Sequence, residues 1–312
     1  MARSRPRRAL PMGGRSLLCG ALLLLLAPRI ATAEAAATTA STGSEVGPEP
    51  AQPAPTAKVE GKDEPELDVL TFHRSNYWAT GFTRSTEVKF QFSFKYDLWP
   101  SRGHHTVYLA YTQKSLWDLY EKSAPFRESN YAPEIFYAHY HSDSHSQPNP
   151  GCNFFSEQVG VEHESNGEAN DASRSWNRIF AELNATCYGK PTFGLLGLRV
   201  WYPIGIAENK TIAETQGYGE LSAGFGVDDD SLHMNGLLTV ALRKGASKDL
   251  GKGSVTVDAR WRPTYQRLFG KAWKFAPYVW FQFFAGYGET LATYDSSTTS
   301  ARVGVGFSDR AQ

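Results

Sequence analysis

The chain has little cysteine, little methionine and no excess charge of either sign. Three cysteines in 312 residues exclude a small disulfide-knit scaffold. Thirty-two basic residues against 32 acidic ones leave no electrostatic footprint for DNA or RNA, so no nucleic-acid partner is expected. Beyond residue 33, no stretch approaches the roughly 20 apolar residues that a membrane-spanning helix needs. No glycine-rich phosphate loop or dinucleotide fingerprint follows a strand-like segment. What the chain does have is aromatic residues, at 13%, together with 28 glycines and a mean hydropathy of −0.41. That combination leaves two classes: a water-soluble β-rich domain, or a membrane barrel whose apolar surface is hidden by alternation.

The neutral total conceals three unlike parts. Residues 1–33 hold six arginines and no acidic residue, leaving 26 basic against 32 acidic groups, a net of −6, in the remainder. They read as a secretory signal: an arginine-rich start, an apolar run from Leu17 to Ala27 too short to span a bilayer, and Ala31-Thr32-Ala33 as a small-x-small cleavage site. Cys19 does not follow the apolar core, as a lipidated cysteine would. Residues 34–66 contain no aromatic residue and are dominated by Ala, Thr, Pro and Glu. Such a segment cannot bury enough apolar area to offset its ordering entropy, and it reads as a disordered spacer.

From Leu67 to Gln312 the composition turns to aromatics, glycines and β-branched residues in alternating segments. These are Glu87–Trp99, Thr106–Leu119, Glu134–Ser142, Asn153–Ser165, Ser175–Tyr188, Thr192–Ile204, Gly217–Val227, Ser231–Arg243, Ser254–Arg262, Trp273–Gly288 and Ala301–Ser308. A bacterial barrel with both termini on one side needs an even number of strands. The twelfth is expected from Val69–Phe82 or from an unrecognised turn inside Trp273–Tyr294. Twelve strands would allow about 20 residues each with its connection, enough for a tilted membrane strand of about 9–11 residues.

The two faces of these segments differ in kind. Residues 301–307 place Ala, Val, Val and Phe on one face and Arg, Gly and Gly on the other. The odd positions of 275–287 are Phe, Pro, Val, Phe, Phe, Ala and Tyr. An apolar outer face ending in aromatics suits a bilayer, although a soluble β-sandwich would show the same alternation with its apolar face inward. The aromatic load favours the all-β reading as a transmembrane antiparallel barrel.

The segment Val159–Gly167, with Ser173–Leu183 after a short polar loop, carries candidate chemistry. Residues two apart share a strand face, so Val159, Val161, His163 and Ser165 lie together, as do Asn177, Ile179, Ala181 and Leu183. If the loop closes symmetrically about Asn170, His163 faces Asn177 across the hairpin. Ser165 is a weak nucleophile until a base such as His163 takes its proton, and Asn177 can hold the imidazole's tautomer. A neutral Asn does not stabilise the imidazolium as a carboxylate would, so further help at the oxyanion is expected. The same three residues would also suit an ordinary polar girdle at a strand end.

Six motifs, HESNG (163–167), SRSWNR (173–178), YTQKSLW (111–117), SAPFRESNY (123–131), GYGET (286–290) and RVGVGF (302–307), together resemble the outer membrane phospholipase A family, in the family's order from about Glu87 to Phe307. The resemblance implies a twelve-stranded barrel in the bacterial outer membrane and a calcium-dependent acyl hydrolase acting on glycerophospholipids. Ser165 would be the nucleophile, His163 the base and Asn177 its orienting partner, with the Gly167 N–H at the oxyanion. The site would lie on the outside of the barrel at the outer leaflet. The resemblance further implies an active homodimer with Ca2+ between protomers, held by Ser123 from one protomer and by the carbonyl of Glu168 and the hydroxyl of Ser173 from its partner, and Gln113 in the dimer interface. Three features depart from the family: Glu168 stands where an arginine is usual, the segment between Trp117 and Ser123 is shorter, and the long spacer is foreign to it. The alternative from another class is a structural or pore-forming barrel with no catalysis.

Other polar clusters read as structural. Cys152 and Cys187 sit at the base of the same hairpin, where the symmetric register sets Cys152 opposite Tyr188; a disulfide then needs a bulge, and free thiols are the other outcome. His139, His141 and His145 have no carboxylate or cysteine at metal-ligand spacing and read as a solvated loop. Asp228-Asp229-Asp230 reads as a turn.

Overall fold

The computed structural model describes residues 69–308 apart from 82–85, 100–103, 142–150, 190, 207–208, 230–233, 250 and 263–275. The expected leader and spacer, and His145, lie outside the described residues. The strands are β1 (Leu70–Phe72), β2 (Asn76–Gly81), β3 (Val88–Asp97), β4 (His105–Trp117), β5 (Phe126–Tyr140), β6 (Gly151–Ser165), β7 (Ser175–Gly189), β8 (Thr192–Ile204), β9 (Gly219–Asp229), β10 (Met234–Lys244), β11 (Gly253–Arg262), β12 (Ala276–Tyr287) and β13 (Ser297–Ser308). A 3-10 turn (Asn170–Ala172) follows β6, and a short helix, α1 (Ile212–Gln216), follows β8.

Each strand from β3 onward pairs antiparallel with the next, and β2 pairs with both β13 and β3, so the sheet closes. β1 and β2 lie on the same side of β3, with Leu70 opposite Tyr96 and Thr80 opposite Val88. They are two halves of one barrel position, which makes this a closed twelve-strand antiparallel barrel. The stretch Val69–Phe82 therefore supplies the twelfth position, and among the described residues Trp273–Tyr294 holds one strand. The interruption at residues 73–75 has a local cause. His73 Nε2 and the adjacent Arg74 guanidinium both reach the buried Glu134 carboxylate, at 3.1 and 3.5 Å. Neighbouring side chains of a regular strand point to opposite faces, so both reach inward only where the strand is broken.

All eleven alternating segments fall on strands, but two strands begin earlier than alternation suggests. β5 starts with Phe126-Arg127-Glu128-Ser129-Asn130 and β13 with Ser297-Thr298-Thr299-Ser300, where polar residues stand on both faces. Asp228 and Asp229 end β9 instead of forming a turn, with the Asn235 amide donating to Asp228 across the hairpin at 2.9 Å. Asp230 lies outside the described residues.

The outer surface is an apolar belt: Leu109, Ile135, Val159, Val161, Ile179, Leu196, Leu198, Val200, Val279, Phe281, Val303 and Val305 are all exposed. Near one rim, Trp78 stacks on Phe90 and Trp117 on Phe126 outside the barrel, and the two pairs meet edge-to-face. The belt and aromatic cluster are what a bilayer solvates, and a soluble sandwich would have buried this face. The inside is polar and filled. Arg199 bonds Glu134, Glu162 and Glu182 at 3.0, 2.8 and 3.2 Å, and Arg178 bonds Glu162 and Glu164 at 2.5 and 2.9 Å. A second knot joins Arg302 to Glu289 (2.5 Å) and Glu87, and Lys89 to Glu289 (3.1 Å).

With twelve positions, both ends of the barrel chain lie at one rim. The other rim carries the β4–β5, β6–β7, β8–β9, β10–β11 and β12–β13 connections. There α1 and the 288–296 loop pack Ile212, Leu291 and Tyr294 into a cluster with Trp176, Phe180 and Trp201 inside the barrel mouth.

Candidate active site

The β6–β7 hairpin brings the sequence candidates together. In the register, His163 is directly opposite Asn177, and Ser165 opposite Ser175. Val159, Val161 and Ile179 on the same rows are exposed on the belt, so His163, Ser165 and Asn177 belong to the outer, lipid-facing surface. His163 Nδ1 and Asn177 Oδ1 are 2.8 Å apart. An amide oxygen only accepts, so Nδ1 is the protonated nitrogen and Nε2 keeps its lone pair.

The alternate residues of the same two strands face inward and hold the hairpin rigid. Glu164, between His163 and Ser165, accepts from Trp176 Nε1 at 3.0 Å and from Arg178 at 2.9 Å. Trp176, between Ser175 and Asn177, is fully buried with the Arg178 guanidinium stacked on its ring. Half of each motif thus makes the wall that the other half stands on.

The loop after Ser165 is built around Asn166, a buried residue. Its Oδ1 accepts from the N–H groups of Arg174 (2.9 Å) and Glu168 (3.3 Å), and its Nδ2 donates to the Ala172 carbonyl (2.9 Å). Gly167 has φ +71, and a Cβ there would lie 2.9 Å from the Tyr131 ring, so the position requires glycine. Glu168 is exposed and Ser173 half-buried on this loop. Ser123 is exposed on the β4–β5 turn of the same rim with φ +69. That turn is closed by Trp117 Nε1 donating to the Ala124 carbonyl (2.8 Å) and by the Arg127–Asp118 ion pair (2.6 Å). Gln113 faces outward on β4, its amide oxygen accepting from the Tyr111 hydroxyl at 3.2 Å.

Several contributors escaped the sequence reading. Asn166 lies inside the HESNG motif, and its capping role depends on a loop geometry no spacing reveals. Gly205, just after β8, has φ +65, and a Cβ there would stand 2.9 Å from Asn177 Nδ2; only the β7–β8 pairing of Asn177 with Ile204 brings it there. The GYGET and RVGVGF motifs meet through Glu289 and Arg302 inside the barrel and support its wall. Cys152 and Cys187 form a disulfide, because a bulge between Phe154 and Ser156 shifts the register to set them opposite each other. His139 and His141 do acquire a carboxylate, Glu157, from the neighbouring strand.

Comparison with known proteins places the chain in a family. Residues 61–308 match the model of the phospholipase A1 family. Phospholipase A1 of Escherichia coli K12 is 32% identical over 238 residues, covering 74% of this chain and 73% of that protein. The putative phospholipase A1 of Neisseria meningitidis serogroup B is 30% identical over 244 residues, covering 73% and 56%. Among solved structures, the outer membrane phospholipase A of E. coli superposes with a TM-score of 0.63 at 26% identity, over 80% of this chain and 95% of that one. The Salmonella typhi outer membrane phospholipase dimer with bound calcium superposes at 0.62 and 27%, over 77% and 92%. With the family model matched across the whole barrel, this chain belongs to the phospholipase A1 family.

Proposed function

We propose that this chain is a calcium-dependent phospholipase A of the outer membrane, hydrolysing acyl esters of glycerophospholipids at Ser165, His163 and Asn177, and active as a homodimer. The observation that carries the reading is the His163–Asn177 hydrogen bond on the lipid-facing side of the barrel, with Ser165 on the same row. A phospholipid in the bilayer reaches such a site laterally, without entering the lumen.

In the reaction, Asn177 holds Nδ1–H so that His163 Nε2 takes the Ser165 proton as Oγ attacks the ester carbonyl. The Gly167 N–H meets the developing oxyanion. Collapse returns the proton from His163 to the leaving lysophospholipid oxygen and leaves an acyl-serine. Water, deprotonated by the same nitrogen, then releases the fatty acid and restores Ser165.

Ser123, the Glu168 carbonyl and Ser173 would hold the calcium between two protomers. The donor set fits: all three are oxygen donors, carried by the same rim, with neither imidazole nor thiolate among them. When bound, the ion supplies the positive field at the oxyanion that neutral Asn177 does not. Gln113, outward on β4, belongs to the protomer contact. Residues 1–33 act as a cleaved export signal and 34–66 as a spacer ahead of the barrel, a division supported by composition.

The pore-forming alternative is disfavoured by the ion pairs of Glu134, Glu162, Arg178 and Arg199 that cross the lumen, where Glu162, Arg178 and Arg199 line a space of about 220 Å³. The test of the calcium reading is chelation. Chelator should abolish fatty-acid release, and Ser173→Ala should raise the calcium requirement with the barrel still folded; full activity in chelator would refute it.

A further inference from the structure

The opposite rim, where both ends of the barrel chain emerge, carries a second cluster on its outer face. His139 of β5 and His141, in the bend just after that strand, both reach Glu157 of β6, which is the register partner of His139. His139 Nδ1 lies 3.5 Å from Glu157 Oε2, and His141 Nε2 lies 3.1 Å from Glu157 Oε1. One donor atom from each of the three residues falls within 4.8 Å of the others. Two donors bound to one Zn2+ at about 2.0–2.1 Å with tetrahedral angles are about 3.3 Å apart, so each histidine–carboxylate separation is close to such an edge, and the two imidazoles, within 4.8 Å, need to close by at most about 1.5 Å.

We propose that His139, His141 and Glu157 bind a divalent transition-metal ion of the Zn2+ class. Two imidazole nitrogens with one carboxylate are the donors of a borderline cation and a poor match for Ca2+, which takes oxygen. The site is therefore chemically distinct from the oxygen donors proposed at the other rim. All three side chains are accessible, at 28%, 38% and 49% exposure, and three protein ligands leave a position for water. The His139 ring is backed by His105, stacked at 4.3 Å between centroids, and His105 in turn bonds the Tyr137 hydroxyl. Backing of this kind fixes a ligand ring before the ion arrives. Bound metal would clamp β5 to β6 at the end of their ladder, beside the last register pair, Tyr140 with Ser156.

The test uses the whole chain without a histidine tag, folded in detergent micelles, titrated with Zn2+ against a chromophoric chelator. The wild type should take up Zn2+ stoichiometrically with micromolar or tighter affinity, undiminished by millimolar Ca2+. The His139→Ala/His141→Ala pair and, separately, the near-isosteric Glu157→Gln should each weaken that affinity by at least about tenfold. Heat-modifiable gel migration checks that each variant is folded. Wild-type protein without stoichiometric Zn2+ uptake, meaning a histidine–glutamate ion pair only, would overturn the proposal. So would folded variants that bind Zn2+ as the wild type does.

Discussion

Asn177 Nδ2 and the α-carbon of Gly205 are so close that a methyl group on Gly205 would stand 2.9 Å from the amide nitrogen. The amide whose oxygen meets His163 Nδ1 thus occupies space that a side chain at position 205 would take. This gives a test that separates orientation from simple presence of the triad.

Asn177→Ala is expected to lower kcat by about 10- to 100-fold, the loss of one hydrogen bond to a ring that becomes charged, about 1.5–3 kcal/mol. Gly205→Ala should lower kcat in the same direction by displacing the amide. In the Asn177→Ala background, Gly205→Ala should have no further effect on kcat. Additive losses in that double-mutant cycle would show that Gly205 acts through something else.

On the inner side of the same hairpin, Arg178 bonds both Glu162 and Glu164. Arg178→Met leaves the buried Glu162 and the half-buried Glu164 without that partner and should cost about 3–5 kcal/mol, read as a lower urea midpoint of the folded barrel. Asn177→Ala, one residue away but facing lipid, should leave the midpoint in place. Equal midpoints for Arg178→Met and wild type would contradict the interior network as the support of the hairpin.

The Cys152–Cys187 disulfide closes a separation of 35 residues at the far end of β6 and β7. Maleimide labelling of denatured protein should gain two labels after reduction. Loss of the cross-link should destabilise the barrel by up to about 4 kcal/mol on the loop-entropy estimate. Equal labelling with and without reductant would show free thiols instead.

How much was legible in the sequence follows from what period-two alternation encodes. It reveals a strand wherever one face is apolar, and so it shows eleven strands and the row shared by His163 and Ser165; the apposition of His163 to Asn177 follows only with symmetric closure of the loop about Asn170. It fails where both faces are polar, as at Glu128–Asn130, whose side chains turn in to hold the 288–296 loop. It also fails where the strand is broken, as at His73–Arg74. The twelfth barrel position has no clear alternation of its own, because it is split into β1 and β2, of three and six residues. Register is a cross-strand property: the bulge that pairs the cysteines, the approach of Glu157 to His139 and that of Gly205 to Asn177 are invisible to spacing along one strand. Ser123 and Gln113 were reachable by resemblance alone, since a turn serine and an outward glutamine carry no pattern of their own.

The most direct test of the central claim is calcium-stimulated fatty-acid release from detergent-dispersed phospholipid by wild type and Ser165→Ala, compared with heat-modifiable migration of the same samples. The wild type should release fatty acid, Ser165→Ala none above background, and both should show the same folded migration. Undiminished release by a folded Ser165→Ala barrel would contradict it.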